Sequence, residues 1–301
     1  MSPIIIFAFN RLDSIMATVD ALRLNPEAQA SDLFVFVDGP RPHKEGESEK
    51  VGRVRDFVKN ISGFKSVAYT FSEENKGLAP SIISGVSQVM DKYGKAIVVE
   101  DDLYVSKSFL RFMNQMLETF EKDERIFQIS GFSTKMNCRM EEDIYLNGRA
   151  QSWTWATWKD RWDSVDWEVK DYEALCADRK KQKAFNSHGS DLFGMLRNYM
   201  DGRISSWYVR FCYEMHRQGK FTICPAKSLV RNDGFNSEGT HCNNYNRYEI
   251  DFEPIHSGAF KIPEKLLPDP IVQKEAVKFW SLRYRIFGKA MTVLVRTLHS
   301  R

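Results

Sequence analysis

Two glycine signatures of nucleotide-binding folds are missing from this sequence. No GxGxxG follows the first apolar run, which argues against a dinucleotide fold of the dehydrogenase kind. No GxxxxGK with a following Ser or Thr occurs either, so there is no P-loop to cradle phosphate. Cysteine is sparse and scattered: Cys138, Cys176, Cys212, Cys224 and Cys242 are five in number and form no CxxC pair. Neither a disulfide framework nor a zinc site is indicated, and reduced cytosolic thiols are the simplest reading. No stretch reaches the roughly 18 consecutive apolar residues of a membrane span. The opening run, "IIIFAF", is one strand long and has no basic residue before it, so it reads as a strand and not a signal peptide. A net charge of +3 is too small to argue for nucleic acid. The expectation is a soluble, cytoplasmic protein.

What the chain does have is core material. It carries 43% hydrophobic residues, 13% of all residues being aromatic, over 301 residues. That suits one large α/β domain or two of average size. Apolar strands ("IIIFAF", "LFVFVDG", "SVAYTF", "KAIVV") alternate with helical stretches at 12–24, up to about Asn60, and from Leu78 to a closing Gly94. Continuous apolar strands separated by helices imply a mostly parallel sheet covered on both faces. Ligands of such sheets bind at the carboxyl ends of the strands. Asn10-Arg11, Asp38-Gly39 and Glu100-Asp101-Asp102 fall at those ends.

Three adjacent carboxylates after a buried strand repel one another and lose hydration. A divalent cation beside a diphosphate makes the placement tolerable, because Mg²⁺ and Mn²⁺ take oxygen ligands and share them with substrate phosphates. A solvated acidic turn is the plain alternative.

"IIIFAFNR", "VFVDG" and "VVEDDLYVSKSFLRFM" together resemble the nucleotide-sugar half of GT-A glycosyltransferases. The resemblance is to the N-acetylglucosaminyltransferase that initiates complex N-glycans and to its bacterial surface-polysaccharide relatives, and it covers roughly residues 3–245. It implies nucleoside contacts for Arg11 and Asp38, and a Mn²⁺ ligand in Asp102. Glu100 and Asp101 then serve the ribose and the reaction centre. It also implies an inverting, metal-dependent transfer from a nucleotide-sugar, most simply a UDP-sugar, to a glycan acceptor in capsule or lipopolysaccharide synthesis. A sugar-1-phosphate nucleotidyltransferase or an inactive nucleotide-sugar-binding protein is the alternative.

Three further stretches bear on that resemblance. In "SWTWATWKDRWDSVDW", Trp158 and Trp162 read as core on an amphipathic helix, while Trp153 and Trp155, read as loop residues, are candidates to stack on an acceptor sugar. "CPAKSLVRNDGFNSEGTHC" resembles a lid, with Gly234 and Gly239 as hinges and His241 reaching the diphosphate or metal. The region "DGRISSWYVRF" departs from the pattern. Relatives place an Asp shortly before the tryptophan, and this chain has Ser205 and Ser206 before Trp207. An inverting transfer needs a base for the acceptor hydroxyl, and Asp201, with Glu214 behind it, is the nearest substitute.

Residues 261–301 hold nine Lys or Arg against three Asp or Glu. On one helix, Lys278, Arg285, Lys289 and Arg296 would share a narrow face opposite Phe279, Ile286, Phe287, Ala290, Met291 and Leu294. Such a helix either lies on an anionic membrane, as for a peripheral enzyme acting on a lipid-linked acceptor, or packs on the catalytic body. The expected organisation is a nucleotide-sugar half at 1–105, an acceptor half of the same domain at 106–260, and the basic segment at 261–301.

Overall fold

The computed structural model describes residues 1–138, 140–232 and 250–299, with side chains up to residue 293 in the last helix. Strands β1 (Ile4–Ala8), β2 (Asp32–Val37), β3 (Ser66–Phe71) and β4 (Lys95–Glu100) are the four apolar runs of the first third. Helices Leu12–Arg23, Glu47–Lys59 and Leu78–Tyr93 connect them. All four strands run parallel, in the order β3-β2-β1-β4. The chain continues through β5 (Leu103–Val105), β6 (Ile126–Ser130), β7 (Ile144–Asn147), β8 (Thr154–Trp158), β9 (Phe221–Pro225) and β10 (Val230–Asn232). Four of these extend the first sheet to eight strands, β3-β2-β1-β4-β8-β6-β9-β7, and β5 pairs with β10 in an antiparallel ribbon. The expected α/β architecture is present, a mostly parallel sheet with helices on both faces.

Alternation explains the layers. Ile4, Ile6 and Ala8 of β1 face one side, where they meet Ile15, Val19 and Leu22 of the first helix and Val51, Val54 and Val58 of the second. Ile5 and Phe7 face the other, against Ile82, Val86 and Val89 of the helix Leu78–Tyr93 and Trp207 and Phe211 of the helix Trp207–Arg217. Burying each such side chain stabilises by about 1.5–3 kcal/mol. Gly85 lets the helix sit close, because a Cβ there would lie 2.8 Å from the Phe7 ring.

The structure corrects two sequence readings. "TWATW" is strand β8, buried throughout and paired antiparallel with β4, so neither Trp155 nor Trp158 stands on a loop or a helix. The threonines and alternating large rings suit a pleated, buried surface, and that preference outweighs the helical spacing of Trp158 and Trp162. The basic stripe is also broken. Lys278–Trp280 is a 3-10 turn, Ser281 is extended, and the last helix begins at Leu282. Lys278 therefore belongs to the turn and pairs with Glu275 at 2.8 Å.

Candidate functional site

The chain steps from β1 to β2 and β3 on one side, then crosses to β4 on the other. The switch point thus lies between β1 and β4, where α/β sheets open a crevice at the carboxyl ends of their strands. A cleft of about 930 Å³ opens on this edge, its walls including Asn10, Arg11, Asp38, Arg41, Lys50, Arg53, Asn75, Lys76 and Asp101. Five cations and three carboxylates, Asp13 being the third, line it. The balance favours an anionic ligand.

Arg11 and the acidic turn meet across the switch point. The Arg11 guanidinium donates to Asp101 at 2.6 Å and to Asp102 at 3.0 Å. Burial opposes the charge on Arg11, yet the two carboxylates more than offset it and its pKa is raised. Asp101 is buried, and loss of hydration pushes its carboxyl up to about 6 although Arg11 pulls the other way. Desolvation, reinforced by the charges of Asp102 and Asp101, lifts Glu100 well above the carboxylate range. A turn held this way resists full ionisation unless a further cation arrives.

Asp102 spends only one oxygen on Arg11. Its Oδ1 is buried and has no hydrogen-bond partner among the described residues. A lone buried carboxylate oxygen is a place for a donor or a cation, and an all-oxygen set suits a hard divalent ion. Among the described residues no three His, Cys, Asp or Glu side chains converge into a metal cage. A cation at Asp102 would therefore need ligands beyond the described side chains, and Mg²⁺ sites commonly share theirs with substrate phosphates.

Asp38 follows the end of β2 in the cleft wall, and its oxygens are engaged by backbone. Oδ1 accepts from the amides of Gly39 and Lys76, and Oδ2 from Gly77, each at 2.9 Å. Asn75 adds a bond from its side chain to the Gly39 carbonyl at 2.9 Å. Gly39 is required at this crossing, since a Cβ would come within 2.4 Å of the Glu74 backbone. Asp38 so locks two loops and holds the start of the helix Leu78–Tyr93 open to the cleft.

Sequence reasoning missed Glu47. This buried carboxylate accepts from Asn10 at 3.2 Å and from the Arg41 amide at 2.7 Å, and it pairs with the Arg41 guanidinium. The hydrogen bonds from Arg41 hold its carboxyl down at about 2. In the sequence it reads as an ordinary first-turn charge after Gly46. Lys50, Arg53 and Lys76 were passed over for the same reason.

Other expected site residues lie elsewhere. Trp155 is fully buried and stacks on Trp162 and Trp207 at 5.5 and 4.9 Å, so it is core and cannot meet an acceptor. Trp153 is half-buried and tilted against Phe132 at 4.4 Å. Asp201 ends the helix Leu192–Met200, pairs with Arg203 at 3.3 Å and does not line the cleft. Glu214 is buried and bonded to Arg217 and Gln218, again outside the cleft. Ser206 caps the helix Trp207–Arg217 by accepting from the Val209 amide at 3.3 Å, and Ser205 is exposed. His241, Gly234 and Gly239 lie outside the described residues.

No family model and no curated protein matches the sequence. Among solved structures, the chain is similar to S. aureus TarS 1-349, at 11% identity and a TM-score of 0.43, over 78% of this chain and 61% of that one. It is also similar to S. aureus TarS 1-349 in complex with UDP, at 11% identity and a TM-score of 0.46, over 76% and 60% of the two chains. The chain spans about three fifths of the length of those structures.

Proposed function

We propose that this chain is an inverting, metal-dependent glycosyltransferase that moves a sugar from a nucleotide-sugar, most simply a UDP-sugar, to a glycan acceptor in capsule or lipopolysaccharide synthesis. The observation that carries the reading is the acidic turn at the switch point, where one buried oxygen of Asp102 has no partner among the described residues, beside a cation-rich cleft. Asp102 would hold Mn²⁺ or Mg²⁺ together with the donor's phosphates, and the ion would neutralise the leaving diphosphate. Arg11 supplies a second, fixed positive charge at the same edge and keeps Asp101 and Asp102 from turning away. Asp38 shapes the nucleoside end through the loops it ties. Among the described residues, Asp13 is the cleft carboxylate without a hydrogen bond or ion pair, as Asp38 and Asp101 are engaged.

A second reading, a nucleotide-sugar-binding protein without turnover, draws on Ser206. It caps a helix at the place where the resemblance calls for a carboxylate. Transfer or hydrolysis measured across a panel of nucleotide-sugars separates the two, since the second reading allows binding with no turnover.

The metal is tested by thermal shift with UDP, with and without Mn²⁺. The unmodified protein should show a Mn²⁺-dependent gain that Asp102→Ala removes while its melting without ligand stays cooperative. An unchanged Mn²⁺-dependent gain in Asp102→Ala would discard Asp102 as the metal ligand.

A further inference from the structure

The last helix, Leu282–His299, carries Arg283, Arg285, Lys289 and Arg296 and has no Asp or Glu. Its rotation is set by the residues that face the body. Arg285 donates to the Ser190 carbonyl at 3.0 Å and lies 3.1 Å from its hydroxyl. Tyr284 sets its ring edge-on to buried Phe279 at 5.0 Å, and Gly288 is buried. A cation thus faces inward, which reverses the arrangement of an amphipathic helix packed at home.

The opposite side is apolar and open. Leu282 and Ile286 are each 61% exposed, Val293 is 65% exposed, and Ala290 is exposed. At 100° per residue these four fall within about 80° of arc. Exposed Arg283 and Lys289 stand about 20° beyond its two edges on the same geometry. No helix among the described residues is long and apolar enough to cross a membrane. An apolar strip between cations, on a helix too polar to span, is built to lie in an interface plane.

Charge selects the occupant. A second copy meeting this face in an isologous contact would set a strip flanked by Arg283 and Lys289 against the same strip, crowding cations together with no acid on the helix to relieve them. An anionic bilayer satisfies both parts of the face, taking the apolar strip below its headgroups and the cations among its phosphates. We propose that the strip Leu282-Ile286-Ala290-Val293 docks on an anionic lipid surface, with Arg283 and Lys289 as its flanking contacts and Arg285 as the pin that presents it.

The test is co-sedimentation of the full chain with vesicles of phosphatidylcholine alone or in equal mixture with phosphatidylglycerol, at low and high salt. The unmodified protein should bind the anionic vesicles at least tenfold more tightly, and salt should weaken binding by screening. Arg283→Glu with Lys289→Glu should lower affinity tenfold or more, and Ile286→Asp should abolish sedimentation. Circular dichroism should show both variants folded. The charge variant alters only exposed positions, so it keeps the test decisive if Ile286→Asp misfolds. Failure of the unmodified protein to sediment at low salt would overturn the proposal, as would binding that the charge variant leaves intact. A dimer in solution that Ile286→Asp converts to monomer would overturn it in favour of a copy-to-copy interface.

Discussion

Asp38 illustrates how a side chain serves a ligand without touching one. Its carboxylate accepts from the amides of Gly39, Lys76 and Gly77, so it stabilises the cleft wall before any nucleotide arrives. Asp38→Ala should leave those amides to water or to nothing, at a cost of about 1–3 kcal/mol. Asp38→Asn keeps one acceptor oxygen and should cost less. Urea unfolding of the two variants checks the order, and an Ala variant as stable as the parent would mean that the amides are served equally well by solvent. The position of Asp38 was readable, because a strand ending in Asp-Gly places its carboxylate on the sheet edge. Its partners were not, because they lie 38 and 39 residues away on a loop whose path no local pattern reveals. The Arg11 contact with Asp101 and Asp102 spans a still longer separation. It depends on β1 and β4 lying side by side, which no local pattern encodes.

At the scale of single elements, β8 carries a pattern that fits more than one assignment. A run of tryptophans and threonines with rings two apart is strand chemistry, yet the two tryptophans four apart imitate a helix face. A loop would make Trp153 and Trp155 alike, whereas the strand separates them. Trp155→Ala empties a fully buried position between two other tryptophans and should cost about 3–5 kcal/mol. Trp153→Ala, at a half-buried position, should cost clearly less. Denaturant melts of the two variants test the order, and equal losses would count against the packing described.

The C-terminal elements close the far edge of the sheet. Gln273 places its amide nitrogen on the Leu146 carbonyl and its oxygen on the Gly148 amide, at 3.0 Å for the latter. It thereby does for β7 what a further strand would do. Trp280 lies over the Arg149 guanidinium at 4.7 Å, and buried Arg149 takes both oxygens of Asp191 at 2.9 and 3.0 Å. His188 is packed beside this pair. Burial, then the charges of His216 and Arg149, hold its pKa down at about 4. Between about pH 4 and the ordinary value near 6.5, the unfolded chain binds a proton that the folded chain refuses. The contribution of His188 to stability is therefore complete above pH 6.5 and declines as pH falls toward 4, by up to about 3 kcal/mol. His188→Asn should flatten that decline in urea melts at pH 7.5 and 5. A variant with the parent's slope would remove His188 as the cause.

The whole molecule is organised by one sheet, which runs through both expected halves of the one domain. The first four strands were legible because each is a continuous apolar run with a helix after it. The remaining order was not, since β8 comes late in the chain and inserts between β4 and β6. Antiparallel insertion of that kind depends on which long-range pairing buries most, and composition does not encode the partner. The consequence bears on the site. β4 carries the acidic turn, and five of its residues, Lys95 to Val99, pair with β8. β5, immediately after the turn, pairs only with β10 among the described residues, more than a hundred residues downstream. Residues 1–105 alone would hold Arg11, Asp38, Glu100, Asp101 and Asp102, yet β4 would be unpaired on one side and β5 would have no strand partner. Val98 would lose its cover from Trp155, and Leu103 to Val105 would lose their only ladder. Such a fragment should fail to unfold cooperatively and should bind UDP at least tenfold more weakly than the full chain, with or without Mn²⁺. Calorimetric melting and titration of the two proteins side by side make the comparison. A fragment that melts in a single sharp transition and binds UDP like the parent would show that the nucleotide-binding half is self-sufficient and that the sheet's continuity is incidental to the site.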